Sequence, residues 1–439
     1  MCLSIVPFFV VLFISLIASF IASKRQKDYF LASRSLGWPL LVGTLVGTQV
    51  GGGFILGNTD SSFSQGMWGG MYGIGIALGM LGLGLGYGAR LRKLEVSTLP
   101  ELLEKRYNCA WLKKAAAVIS ILSLGGILMC QAIGLQKFLL SCGYGPSIFF
   151  LVWCAVVLYT TYGGLLAVVW TDTIQATVMM GILTLVGIFA LAPYSGEIVS
   201  QAQALQAPFD AKMFSALLMP LCFMFVEQDM AQRCFSAKSP KDATVGSLVT
   251  AALLVCLTII PTSCGILGKA LGVSPDQGSI FIQVMQKIAN PVVFTLAASA
   301  VLLAIISTSS SLLLAVSSNV AQDLTKRQNC KTYTAIVGII ALLGPYLAND
   351  IISGLVTSYE ISVAAFFVPL MAAIFSKKSS LPREAAWSSA VFGLAGFCFS
   401  KMLPQVPITS LASLSFSLIG FLAGMAYVRI YKKTASQVG

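Results

Sequence analysis

The run LLAIISTSSSLLLAVSS, residues 302–318, sets Ala304, Ser307 and Thr308 at positions i, i+3 and i+4. On a helix these three share one face. The two hydroxyls and the Ala304 carbonyl would present neutral, hard oxygens. A second source lies far upstream, in LVGTLVGTQVGGGFILGNTD, residues 41–60, where Gly51 to Gly53 follow Gln49. Each glycine weakens a helix by about 1 kcal/mol. Three together are expected to unwind it and free carbonyls such as those of Gly47 and Val50. Oxygen donors of this kind suit a hard cation. An uncharged cage suits Na+, which must bind and then leave. Two plainer readings stand beside this one. Ser and Thr in apolar helices often bond back to their own i−4 carbonyls, and glycines also permit close helix packing.

Other chemistry-bearing residues are carboxyls and amides inside apolar sequence. Glu227 and Gln228 interrupt FMFVEQDMAQR, residues 223–233, and Glu360 lies in LVTSYEISVAAFFVP, residues 355–369. An acid at membrane depth is costly and faces the interior of a bundle. Gln49, Gly51, Gly52, Glu227, Gln228 and Glu360 are therefore the candidate solute contacts. Glu360 is expected near the middle of its helix. There it would oppose a cationic group, ligate an ion, carry a proton or make a structural hydrogen bond. Asp172 reads as the N-cap of the sixth apolar segment at the cytoplasmic face. Arg34 reads as a topology anchor or part of a gate. The chain has no His, which removes Ser–His–Asp triads and His-ligated zinc. Its 11 Cys are scattered, with no CxxC pair, and read as apolar packers.

The elements that must position these groups are membrane helices. Of 439 residues 57% are hydrophobic and only 10% charged, against about 25% charged in a soluble domain. Thirteen apolar segments are expected, near 2–22, 38–58, 67–88, 115–140, 147–168, 171–193, 211–230, 243–268, 293–318, 332–347, 350–376, 384–402 and 408–430. A span needs about 20 residues. Residues 2–22 read as a retained helix rather than a signal peptide, since a basic cluster follows at Lys24. The segment TLPELLEKRY, 98–107, reads as a short amphipathic helix on the membrane surface, started by Thr98. Of 28 Lys and Arg, all but Lys137, Lys212, Lys269, Lys287 and Lys401 fall at alternate gaps. Basic loops stay in the cytoplasm, so the N-terminus is expected outside and the C-terminus inside. The net charge of +12 then faces anionic lipid, and no nucleic-acid partner is expected. Irregular segments 2 and 7 lie five segments apart, the mark of an inverted-repeat transporter. The expected organisation is a peripheral helix and basic loop over 1–37, repeats over 38–193 and 211–376, and two peripheral helices with a tail over 384–439.

Four motifs resemble the sodium:solute symporter family, which includes sodium-coupled sugar, proline, pantothenate and choline transporters. DYFLASRSLGW (28–38) is similar to the family's entry to helix 2. YGGLLAVVWTDTIQ (162–175) resembles its signature joining helices 5 and 6. QDMAQRCFSAKSPKDA (228–243) and AIISTSSSLLLAVSSNVAQDL (304–324) resemble the motifs after helix 7 and along helix 9. The resemblance implies an all-α polytopic membrane protein with an inverted five-helix repeat (LeuT-like) core and Na+ coupling. It maps the family's Na+ ligands onto the carbonyls of Gly47, Val50 and Ala304 and the hydroxyls of Ser307 and Thr308. Proline-transporting members carry an Asp near where Gln49 stands, which points away from proline. Choline transporters resemble the QVGGG run (49–53) but carry Trp where Glu227 stands. Sugar specificity would require more polar side chains in segment 3.

The expected function is Na+-coupled symport of a small polar organic solute across the cell (inner or plasma) membrane by alternating access. Other readings are an H+-coupled symporter, an ion channel or sensor on the same fold, or an intramembrane enzyme, which the lack of His disfavours. The oligomeric state stays open.

Overall fold

The structure is a computed structural model that describes residues 6–24, 28–205, 209–325, 329–344, 351–377, 380–402 and 409–438. Arg25, Lys27, Lys326, Arg327 and Lys378, which contribute to the charge alternation, lie outside the described residues. Helices dominate throughout. Among the described residues, seven helical stretches are long and apolar enough to cross a membrane, or eight if a pair bent by 45° at residue 227 counts as one span. Helical stretches also fall within each of the other expected segments.

Helix α1 spans Val6–Ser23. The second segment is broken into α2 (Trp38–Gln49) and α3 (Asn58–Gln65), joined by a wide helical turn over Gly53–Gly57. The third runs as α4 (Met71–Gly82) into α5 (Gly88–Lys93). A short α6 (Leu99–Tyr107) precedes α7 (Ala110–Ser141) and α8 (Pro146–Val186), with α9 (Ser195–Ala204) after them. The second half begins with the bent pair α10 (Ala211–Val226) and α11 (Gln228–Ser236), followed by α12 (Pro240–Ala270) and short α13 (Ile280–Ile288). Helices α14 (Pro291–Asn319), α15 (Cys330–Ala341), α16 (Ile351–Phe375), α17 (Arg383–Met402) and α18 (Thr409–Val438) complete the chain.

Local chemistry starts several of these helices. Ser239 before Pro240 accepts the Asp242 amide, and Asn290 before Pro291 accepts the amides of Val292 and Val293. A capping side chain followed by Pro in the first turn satisfies orphan amides with little lost, because Pro has none. Thr98 caps α6 in the same way through the Glu101 amide. Burial pushes the Glu101 carboxyl up, but the Ser97 amide and Lys105 outweigh it and hold the group below its ordinary range. The apolar face of α6, including Leu102, Leu103 and Tyr107, is buried against α7 and α16 rather than left for lipid.

Helix α14 is buried on every side from Ala297 to Asn319, as expected of a helix at the centre of a bundle. It packs on α2, α7, α8 and α11. By contrast, α18 has only 22% of its most apolar window buried, as a lipid-facing peripheral helix would.

One expected boundary is corrected. Segments 5 and 6 were expected to part near residues 168–171, with Asp172 as a cap. The chain instead kinks at Gly164, whose φ of 60° and ψ of −167° suit glycine alone, and runs helical through Asp172. Asp172 is wholly buried within a helix and caps nothing.

Candidate ion and solute site

The two distant stretches singled out by their oxygen chemistry meet. Helix α2 stops at Gln49, and Val50 (φ −86°, ψ 76°) leaves helical geometry. The break is narrower than the glycine run implied, because Gly52 is already helical at φ −56°, ψ −42°. Gly51 allows the closest approach. A Cβ there would lie 2.6 Å from the Thr308 hydroxyl, inside van der Waals contact, so only glycine lets the broken strand rest on α14.

On α14, Ser307 Oγ donates to the carbonyls of Gly47 at 2.7 Å and Ala304 at 3.1 Å. Thr308 Oγ1 donates to the carbonyls of Thr48 at 2.9 Å and Gly47 at 3.3 Å. The hydroxyls thus bond across to another helix, not only back along their own. Ala304, Ser307, Thr308 and Val50 are all buried. The result is a compact group of uncharged oxygens shared by two helices. The Val50 amide donates to Val46. Thr48, which the spacing argument passed over, contributes its carbonyl beside that of Gly47.

One turn further along α14 the environment is ionic. Asp172 Oδ2 accepts from Thr44 Oγ1 at 2.7 Å, Ser311 Oγ at 2.9 Å and Arg233 Nη2 at 3.2 Å. Arg233 also donates to Thr44 Oγ1 and to the Asp229 carbonyl. Arg233 and Asp172 are both fully buried, so α2, α8, α11 and α14 are pinned together by one satisfied ion pair. Asp172 is therefore a positioning residue within the core.

Beside the break lies a cavity of about 20 Å³, room for about one water molecule, so a solute enters only when its walls part. Helix α2 contributes Gln49, the break contributes Gly51, α7 contributes Gln131, and aromatic walls come from Phe54, Tyr72 and Tyr359. Glu227 lines it from the second broken helix, where φ −75° and ψ 118° separate α10 from α11. Gln49 Nε2 donates to Glu227 Oε2 at 3.1 Å, so the two breaks touch at the cavity. Gln131 Oε1 accepts the Gly52 amide at 3.1 Å, satisfying a donor orphaned at the start of the second half-helix. The Tyr72 and Tyr359 hydroxyls are 2.7 Å apart, and Phe223 stacks on Tyr359 at 4.3 Å.

Two candidate contacts fall elsewhere. Gln228 does not line the cavity. Its Oε1 accepts the Leu99 amide at 2.9 Å, tying α11 to α6. Glu360 faces away from the cavity and pairs with Lys401 of α17 at 2.8 Å. A helical step of about 100° turns neighbouring side chains apart, and it is Tyr359 that points inward. Arg34 is half-buried and donates to the Val96 carbonyl at 3.5 Å, linking the loop before α2 to that before α6.

A family model for the sodium:solute symporter family matches residues 29–380. The chain belongs to the sodium:solute symporter family. It is similar to the high-affinity proline transporter PutP of Bacillus subtilis, 26% identical over 81% of this chain and 83% of the relative. It also resembles the sodium/proline symporter of Haemophilus influenzae, at 24% over 91% and 93%, and the sodium/glucose cotransporter of Vibrio parahaemolyticus, at 28% over 58% and 51%. Among solved structures, a substrate-bound, outward-open Na+-coupled sialic acid symporter superposes with a TM-score of 0.76 at 20% identity, covering 95% of this chain and 96% of that one. Mhp1, a nucleobase-cation-symport-1 family transporter in a closed conformation, gives 0.63 at 15% identity over 93% and 95%. The protein is thus a multi-pass membrane symporter with the inverted-repeat fold, not an enzyme, and Na+ is its coupling ion.

Proposed function

We propose that this symporter imports a small polar organic solute with Na+ bound between the broken end of α2 and α14, by alternating access. The observation that carries this reading is the approach of Ser307 and Thr308 to the carbonyls of Gly47 and Thr48. In the ion-bound state both hydroxyls turn their protons aside and offer lone pairs. With the carbonyls of Gly47, Val50 and Ala304 they surround the ion by neutral oxygens. Hydroxyl rotation costs little, so the site exchanges readily between internal hydrogen bonds and a cation. The membrane potential adds about 2.3 kcal/mol per charge per 100 mV to inward movement.

The solute sits in the adjoining cavity, against Gln49, Gly51, Gly52, Gln131 and Glu227. Thr308 lines both places, so ion and solute stabilise one conformation together. A second small cavity is lined by Leu99, Leu103 and Phe366 together with Val226, the last residue of α10. Release proceeds past α6, whose Thr98 and Leu99 are bonded to Asp323 and Gln228. Rocking of the core, made of the repeats 38–193 and 211–376, opens the cytoplasmic side, with 1–37 and 384–439 peripheral, the N-terminus outside and the C-terminus cytoplasmic. The names of several relatives favour proline. Gln49, in place of the acid of proline-transporting members, disfavours it.

The test is uptake into proteoliposomes of known orientation. Saturable uptake of labelled solute should require an inward Na+ gradient, and the Na+ requirement should rise in Ser307→Ala and Thr308→Ala. Unchanged Na+ dependence in both variants would overturn the ion-site assignment, and a proton gradient sufficing alone would overturn Na+ coupling.

A further inference from the structure

Among the described residues Glu227 is the only acid that lines the central cavity, and no Lys or Arg lines it. It is 5% exposed and makes no ion pair among the described residues. Its one recorded side-chain bond to a different helix is the neutral amide of Gln49. Two residues on, the buried carboxyl of Asp229 approaches it closely enough to interact. Asp229 Oδ1 takes the Met230 amide. The one buried cation nearby, Arg233, bonds to the carboxylate of Asp172 and only to the backbone carbonyl of Asp229. Three acids therefore surround the breaks against one base. Even with one proton held between Glu227 and Asp229, a negative charge remains beside the cavity. An uncompensated charge at this depth is expensive.

The aromatic lining suits a cation as well. Phe54, Tyr72 and Tyr359 line the cavity, and aromatic faces attract positively charged nitrogen. We infer that the solute carries a positively charged nitrogen, which pairs with Glu227 beside the Tyr72–Tyr359 wall. Glu227 is then the specificity-determining residue, and Gln49 holds its carboxylate toward the cavity. A sugar or a neutral polyol leaves the charge unmatched and is excluded. This inference rests on the solute site proposed above and adds its chemical class.

The experiment uses the purified full-length protein in nanodiscs, with thermal stabilisation as readout. Two probe pairs differ in charge but hardly in shape: choline against 3,3-dimethylbutan-1-ol, and L-proline against tetrahydrofuran-2-carboxylate. With Na+ present, the ammonium member of at least one pair should stabilise at a concentration at least tenfold below that needed by its partner. Glu227→Gln should abolish that advantage and Glu227→Asp should keep it. Stabilisation by Na+ alone reports that each variant is folded. The inference is overturned if neither ammonium probe stabilises with Na+, if the neutral partners match them, or if Glu227→Gln preserves the preference. Loss of stabilisation by Na+ alone in the wild type would instead strike the ion site, so the two failures are distinguishable.

Discussion

The five-residue run from Ser307 to Ser311 serves two unlike neighbourhoods. At its start, Ser307 and Thr308 bond to backbone carbonyls of α2. At its end, Ser311 bonds to the carboxylate of Asp172 and accepts from Arg233 and Thr48. The first group is neutral, and its hydroxyls can release their partners to take a cation. The second is an ion pair already satisfied by its own side chains. One helix thus carries an exchangeable site and a permanent clasp about one turn apart, and chemically similar hydroxyls differ in role because of what the neighbouring helices present to them.

Breaking the clasp should have the largest effect. Asp172→Ala strands the Arg233 guanidinium in the core, and removing one partner of a buried pair costs about 3–5 kcal/mol. The expected outcome is a collapse of monodisperse yield on size exclusion and a steep fall in melting temperature, with or without Na+. A variant as stable as the wild type would show that the clasp is dispensable.

Next comes the close approach at the break. Gly51→Ala forces a methyl against the Thr308 hydroxyl, and overpacking costs about 1–3 kcal/mol. Uptake should fall about tenfold or more while the protein remains folded, which tests whether the contact between α2 and α14 is needed for transport. Smaller still in stability, but specific to the ion, Ser307→Ala and Thr308→Ala should each raise the Na+ concentration for half-maximal uptake about tenfold, with melting in the absence of Na+ shifted little. A hydrogen bond or ligand to a charged species contributes about 1.5–3 kcal/mol. Equal sensitivity of both quantities would make these hydroxyls structural, like Ser311.

Glu360 sharpens the contrast at the weakest end. Its partner Lys401 is 47% exposed, and pairs reached by water contribute about 0–1 kcal/mol. Glu360→Gln should leave Na+-driven uptake within about twofold of wild type, whereas Glu227→Gln should not. A large transport defect in Glu360→Gln would return that acid to the pathway.

The breaks were legible before any coordinates. Gly51–Gly53 and the polar cluster at Glu227–Asp229 weaken helices by local chemistry, and both sites do interrupt helices. So was the Thr98 cap of α6. The Asp172 assignment failed because WTD looks like a helix start, while the turn that parts the two spans is set four residues earlier than the expected gap, at Gly164. Glu360 failed because charge drew attention from its neighbour. Tyr359, one step round the helix, is the residue that lines the cavity. Gln131 was missed as well, although a lone amide in the apolar run LMCQAIG was a usable signal. The structure also sets a carboxylate directly beside Gln49, because Glu227 accepts from its side-chain amide at 3.1 Å.

By itself the sequence determined that the chain is built of apolar helices, where two of them lose helical geometry, and that Ala304, Ser307 and Thr308 share a face. These follow from hydrophobic length, backbone propensity and helical period, which act over a few residues. Only the tertiary structure decided what each face meets: Thr308 against Gly51, Arg233 against Asp172, Glu227 rather than Glu360 at the cavity. In helices surrounded by other helices, apolar residues cover every side, so the sequence carries little record of azimuth. The direction a side chain takes is set by which neighbour offers it a partner.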